Sequence, residues 1–449
     1  MLAAYPRRWR PSRYLLAALI GGLALLALLV SSLLSVVTDG LPARATLFGL
    51  PAVALAVAAG YFALRGLARP AGQRRSDLIR AAILAGFALV GWLLVIDVFT
   101  FSLGAGAGVA FACALACVPT TAFGLFVLRR LDRNEKEPWR LVLVAVVWGA
   151  VVATGLVIWA ETYWDFFAVR LIVPGPALDA SNGYSAGIFE ELAKGVAVVL
   201  LYLVMRSEFD DVVDGIVYGA AVGLGFNFME SIGYMTHLYA VFSSDGNGAS
   251  AAAAQWYIRQ VLGLFFGHAT YTALIGAGLG IARQLPHRRQ RIIAIACGFL
   301  VAIAAHFAWD AWVSFYPISQ SAFAVVEVHL RTLFMDGPFT AAVLLLLAMG
   351  LQAEGRGLAR SLEAEAASGS GTVLPEEVPL LTRPWLRLQV RLSVFARSGL
   401  AAYLHLARLQ RAQLDLAMEL WHRERGEIDE PLEAEAHLRE RVLALRSAR

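Results

Sequence analysis

The stretch GIFEELAKGVAVVLLYLVM, residues 187–205, has the length and apolar run of a helix that crosses a bilayer, yet Glu190, Glu191 and Lys194 sit near one end of it. Charge is costly in hydrocarbon. An ionisable side chain there marks a functional site by default, with a neutralising ion pair as the structural alternative. Glu190 and Lys194 stand four residues apart and share a helix face, so a salt bridge is the simplest structural account of this lysine, one of only two in the chain.

The rest of the sequence says what kind of protein carries this helix. Of 449 residues, 59% are hydrophobic and 16% charged, and the mean hydropathy of +0.63 is far too apolar for a soluble protein of this length. Long apolar runs predict an all-α, polytopic transmembrane helical bundle of about ten spans, at 14–37, 46–68, 79–101, 106–128, 141–161, 185–205, 213–241, 254–282, 291–315 and 322–351. The first run has no clear small-residue cleavage site and reads as a retained span. The last is interrupted by Glu327, His329, Arg331 and Asp336, which fits an outer surface helix followed by a short or broken span. Lys and Arg gather in the loops on the N-terminal side, whereas the opposite loops hold Arg44 and Arg170, with Arg259 near a span end. The positive-inside rule then makes both termini cytoplasmic in a multi-pass cell-membrane protein.

The arginines at span ends account for the +4 net charge by orientation in the lipid bilayer and not by nucleic-acid binding. Cys113, Cys117 and Cys297 fall inside apolar runs and supply neither a disulfide framework nor zinc-finger spacing. The chain divides into a four-span region at 1–130, a core at 131–320, a final span at 321–352, a linker at 353–383 and a cytoplasmic helical tail at 384–449. The linker is read from the charged, small-residue run SLEAEAASGSGTVLPEEVP. The tail is Arg-rich with Leu at helical spacing, which suits an amphipathic helix on the membrane surface or docked at the cytoplasmic face.

Four spans of the second half carry ionisable groups: Glu190, Glu191 and Lys194, then Glu230, then His268, then His306 with Asp310. Glu190, Glu230, His268 and His306 each lie roughly 14–17 residues from the expected cytoplasmic end of their span, about 21–26 Å at ~1.5 Å per residue. Antiparallel helices bring them to one level in the outer half of the membrane, so a single shared polar pocket is expected. Glycines at 215, 219 and 223 recur every four residues beside it and suit close helix approach.

Carboxylates and imidazoles in such a pocket can activate water and protonate a leaving amine. They can also hold a metal: Glu230, His268 and His306 form a two-histidine, one-carboxylate set for zinc, leaving Glu190 as base. No HExxH helix is present. By residue types alone, a proton-coupled transporter or channel remains open as the alternative.

The motifs EELAK at Glu190–Lys194, GFNFME with Phe226 four before Glu230, GHATYTALIGAG with His268 and HFAWD with His306 and Asp310 occur in one order. With the upstream LDRNEKEPW at 131–139, they resemble the PrsW-type intramembrane proteases, within the group of CAAX-processing and bacteriocin-processing membrane proteases. The wider group often has His at Glu230 and Arg at Lys194. The resemblance covers roughly 130–315 and leaves the first four spans and the tail open. It implies an intramembrane endopeptidase, described in the family both as metalloprotease and as glutamate-type, acting on a single-span membrane protein such as an anti-sigma factor near its extracytoplasmic side. By the same resemblance Glu190 is the water-activating base, Glu230 and His268 position water or metal, His306 and Asp310 serve the oxyanion, and Glu191, Lys194 and Phe226 support the site.

Overall fold

The computed structural model describes residues 43–68, 74–172, 175–205, 208–315, 323–425 and 431–448; the expected span 14–37 lies outside them. Among the described residues all regular structure is helical. Among the described residues six segments are long and apolar enough to cross a membrane: Asp77–Val95, Ala107–Leu131, Trp139–Ile158, Val212–Phe242, Arg288–Trp312 and Gly337–Ala367. The chain is an all-α, polytopic membrane protein. Its described residues form two compact units, one from 43–128 and 139–343, the other from 129–138 and 344–448.

The first unit holds α1 (Ala43–Ala68), α2 (Arg74–Ala105), α3 (Ala107–Leu131), α4 (Trp139–Val147), a π turn at Trp148–Ala153 and α5 (Thr154–Leu171). There follow α6 (Pro176–Val204), α7 (Val212–Phe242), α8 (Gly248–Trp256), a second π turn at Tyr257–Leu262, α9 (His268–Gln284), α10 (Arg288–Phe315) and α11 (Ala324–Met335). At the centre stands α7, buried from Val212 to Asn227 without interruption. Its start is fixed by a capping box in which Asp211 Oδ1 accepts from Asp214 N at 3.3 Å and Asp214 Oδ2 accepts from Asp211 N at 3.0 Å, with a further bond from Val213 N to Asp211 Oδ1 at 2.6 Å. The glycine stripe then sets the spacing to α9. A Cβ at Gly215, Gly219 or Gly223 would land on the backbone carbonyl of Gly276, Thr272 or His268 respectively, so these helices touch backbone to backbone and His268 is held against α7.

Two expected spans do not run as single helices. The run 254–282 is broken at 263–267, between the second π turn and His268, and the break places Gly267 in extended backbone just before α9. The run 322–351 divides at Asp336 into α11 and α12 (Gly337–Ala367), and α12 continues into the stretch read as linker. The residues RGLARSLEAEAA have strong helix propensity and bury Leu358 and Leu362, which is why the helix does not stop at the apolar boundary.

The second unit packs the end of α12, the short α13 (Val378–Leu381), α14 (Pro384–Glu424) and α15 (Pro431–Ser447). Its core joins Leu358, Leu362, Val373, Leu381, Leu414, Ala417, Met418 and Trp421. The loop at 132–138 is folded on itself: Asp132 Oδ2 accepts from Glu137 N at 2.9 Å, and Lys136 Nζ donates to the carbonyls of Arg129 and Asp132 at 2.7 and 2.8 Å.

Candidate active site

Four helices supply the pocket residues: α6 gives Glu190, Glu191 and Lys194, α7 gives Phe226 and Glu230, α9 begins with His268, and α10 gives His306 and Asp310. Lys194 is fully buried at their centre. Its Nζ lies 2.6 Å from Glu191 Oε1, 3.1 Å from Glu190 Oε2 and 3.0 Å from His268 Nδ1, so three N–H bonds have three acceptors. The ammonium also sits 4.2 Å from the centroid of the Phe226 ring, which meets His268 edge-on at 5.0 Å.

These contacts decide the histidine tautomers. An ammonium only donates, so His268 Nδ1 accepts and the ring proton is on Nε2, directed at Glu230 Oε2 2.6 Å away. Glu230 is in turn gripped by Arg259, Nη1 to Oε2 at 2.7 Å and Nη2 to Oε1 at 3.3 Å. His306 Nδ1 faces Glu191 Oε1 at 3.0 Å and donates to it, which leaves Nε2 turned toward Glu190 Oε2 at 3.6 Å and Asp310 Oδ2 at 3.4 Å. Each imidazole therefore has a carboxylate behind it and presents its other nitrogen to Glu190. His268 Nδ1 is 3.6 Å from the same Glu190 oxygen.

Glu190, His268 and His306 each offer a ligand atom within 4.8 Å of the others. A divalent cation fits this donor set. Two imidazole nitrogens and a carboxylate oxygen converge, and each imidazole N–H is held by a second carboxylate, the arrangement that orients metal-ligating histidines. Charge agrees: with neutral imidazoles, Glu190, Glu191, Glu230 and Asp310 exceed Lys194 and Arg259 by two negative charges, which a divalent ion or two protons would offset. The His268 Nδ1 lone pair already serves Lys194, so that hydrogen bond and a metal at this atom are alternatives.

All six residues expected as catalytic thus lie in one constellation, with Lys194 and Phe226 beside them. The converging set differs from the expected zinc ligands in one member: Glu190 faces both imidazoles, whereas the oxygens of Glu230 are engaged by Arg259 and His268. Side-chain exposure rises from 0% at Glu191 to 27% at Asp310, the most accessible carboxylate of the pocket.

Several pocket residues escaped the sequence reading. Arg259 and Gln260 both leave the second π turn toward α7; Gln260 Nε2 donates to Ser231 Oγ at 2.9 Å, and its Oε1 accepts from Thr120 Oγ1 at 2.6 Å. Tyr271 stacks on His306 with centroids 5.1 Å apart and donates its hydroxyl to Asp336. Thr272 Oγ1 lies 3.4 Å from Glu191 Oε2. Arg259 is a charge in an apolar run, but in the sequence its position reads as a span end and so gives no pointer to the pocket.

Comparison with known proteins covers the same region. A family profile described as PrsW family intramembrane metalloprotease matches residues 137–336, which include every residue named in the pocket except Thr120. A curated relative, Protease PrsW of Geobacillus kaustophilus (strain HTA426), is 30% identical over 179 residues, covering 40% of this chain and 69% of that protein. No solved structure matches the chain significantly.

Proposed function

This chain belongs to the PrsW family of intramembrane proteases, and from that premise we propose that it cleaves a single-span membrane protein near the extracytoplasmic side, with Glu190 activating water. The observation that carries the assignment is the convergence of two imidazoles, each backed by a carboxylate, on one Glu190 oxygen. The two 3.6 Å separations are too long for direct hydrogen bonds, so that oxygen keeps lone-pair capacity for a water.

In this reading Glu190 takes a proton from water as the oxygen attacks the scissile carbonyl, and returns it to the leaving amine. His306 in its protonated form keeps its Nδ1–H on Glu191 and directs Nε2–H at the developing oxyanion, a role in which a buried donor has its largest effect. Asp310 orients that ring, and Lys194 holds Glu190 and Glu191 in register. A zinc held by Glu190, His268 and His306 would be the alternative to these two proton roles, since it takes the Glu190 oxygen and His306 Nε2; it would supply Lewis acidity and a more acidic bound water in their place.

The arginine bias of the loops supports about ten spans with both termini cytoplasmic, which leaves the pocket in the outer half of the membrane. A membrane-anchored anti-sigma factor is the substrate class proposed. A substrate helix has to unwind locally to offer a carbonyl, so helix-breaking residues near the cut are expected.

The test is cleavage of a tagged library of single-span proteins by purified protein, beside His268→Ala, with bound zinc measured in both. Cleavage lost with His268→Ala, together with stoichiometric zinc in the parent alone, would support the metal form; cleavage lost with no zinc in either would favour two protons. A fully folded His268→Ala variant that cleaves like the parent would sink the assignment.

A further inference from the structure

The second unit carries a feature that proteolysis does not use. From Val378 to Leu414 the chain contains no Asp or Glu and six arginines, at 383, 387, 391, 397, 408 and 411. Within this stretch α14 is interrupted at Gly399, whose φ of 79° lies in the left-handed region that glycine tolerates. Arg391 Nε donates to Gln410 Oε1 at 2.5 Å and Phe395 meets Tyr403 edge-on at 6.1 Å. In a straight helix residues 391 and 410 would stand about 28 Å apart, so the contact means that α14 folds back into a helical hairpin with its tip at Gly399.

The two ends of this hairpin differ. Toward its root Leu414, Ala417, Met418 and Trp421 pack on Leu358 and Leu362 of α12, the helix that leaves the membrane. At the tip, Leu392, Phe395, Leu400 and Leu404 are exposed, together with Arg397 and Arg408, and Trp385 is exposed nearer the root. The root is held by the segment that follows α3 and by α12. Arg387 Nη2 reaches the carbonyl of Arg133, two residues past the last residue of α3, and Asn134 Nδ2 reaches the carbonyl of Leu351, where the apolar part of α12 ends. Burial and the charges of Arg391, Arg411 and Arg133 push the Arg387 guanidinium down to about 10, while Arg411 itself is paired with Asp415 at 2.6 Å.

We propose that the tip of the α14 hairpin is a membrane-binding element that inserts Leu392, Phe395, Leu400 and Leu404 into the interface of an anionic leaflet, with Arg397 and Arg408 on the headgroups. Apolar side chains flanked by arginines without any acid match the chemistry of such a surface, and the covalent link through α12 keeps that surface within reach. Each arginine near an anionic surface biases the bound state by roughly five-fold.

The test uses the full chain with Cys113, Cys117 and Cys297 replaced by Ala, and an environment-sensitive fluorophore on Phe395→Cys or, as control, on the exposed Glu440→Cys. Each labelled protein is reconstituted in phosphatidylcholine vesicles with or without about a third phosphatidylglycerol, a content that makes the surface clearly anionic. The expected result is blue-shifted emission at 395, quenched by spin-labelled lipid, in anionic vesicles only. Arg397→Gln with Arg408→Gln should lower the quenched fraction, and the label at 440 should stay in water throughout. A label at 395 that remains accessible to aqueous quencher in anionic vesicles overturns the proposal. So does a label shielded from water but untouched by spin-labelled lipid, since a protein surface would then cover the tip. Equal lipid quenching in both vesicle types removes the arginines from the account and overturns the anionic surface.

Discussion

Glu190 and Glu365 are both buried carboxylates, 5% and 3% exposed, each within reach of a basic side chain. Their surroundings differ in what is left over. Glu365 accepts from Thr372 Oγ1 and Ser370 Oγ at 2.8 Å and from Arg439 Nε and Nη2 at 2.9 and 2.8 Å, so its lone pairs and charge are matched. Glu190 has Lys194 at 3.1 Å, shares it with Glu191 and His268, and faces two imidazole nitrogens at 3.6 Å. Burial of charge is therefore no mark of function in itself. Unused coordination capacity, held open by oriented neighbours, is what separates a site that can take up water or an ion from one that only joins helices.

The sharpest way to break this comparison is Glu190→Gln, which keeps the shape and the Lys194 contact but removes the base. Single-span substrate cleavage should fall by roughly 10³-fold, the scale of a lost general base, with the detergent-solubilised protein still folded by circular dichroism. If kcat/KM stayed within a few-fold of the parent, Glu190 would be a structural carboxylate like Glu365.

A smaller effect is expected one step back from the reacting atoms, at the Arg259–Glu230–His268 chain. Arg259→Ala frees Glu230 and loosens the imidazole it holds, and partners of this kind are typically worth 10–100-fold, so a loss of about that size in kcat is expected. Lys restores the charge but not the two-pronged contact, so Arg259→Lys should recover part of the loss and shift the pH profile. An unchanged profile and kcat in both variants would reduce Arg259 to a packing residue over Tyr234, whose ring it covers at 3.8 Å.

Why Glu190, His268 and His306 were legible in the sequence while Arg259 was not follows from the backbone. Charges in apolar helices stand out, and helices of regular rise allow depth to be counted, which brought four spans to one level. That counting assumes continuity. The π turn and the break at 263–267 violate it, and they are what turn Arg259 toward Glu230 from a position that reads as a span end. In the second unit the difficulty is opposite. The run SLEAEAASGSGTVLPEEVP reads as linker because its carboxylates match partners remote in sequence: Arg439 lies 74 residues from Glu365, and Arg446 lies 69 from Glu377. Local composition cannot reveal a neutralising charge that only tertiary folding delivers.

The least effect on cleavage is expected where the carboxylate is saturated. Glu365→Gln keeps an acceptor for the hydroxyls but removes the charge that pairs with Arg439, at a cost of about 1–3 kcal/mol to the local fold. The cost should fall on the segments that meet at this residue. Amide hydrogen exchange on the full-length protein should speed up at 368–374 and along α15, where Arg439 is anchored, while α6 around Glu190 keeps its protection. Substrate cleavage should match the parent. A matching loss of activity and of α6 protection would mean that the second unit supports the catalytic pocket through its folding. The contrast between the two carboxylates would then be one of degree, with Glu365 acting on the site through the fold.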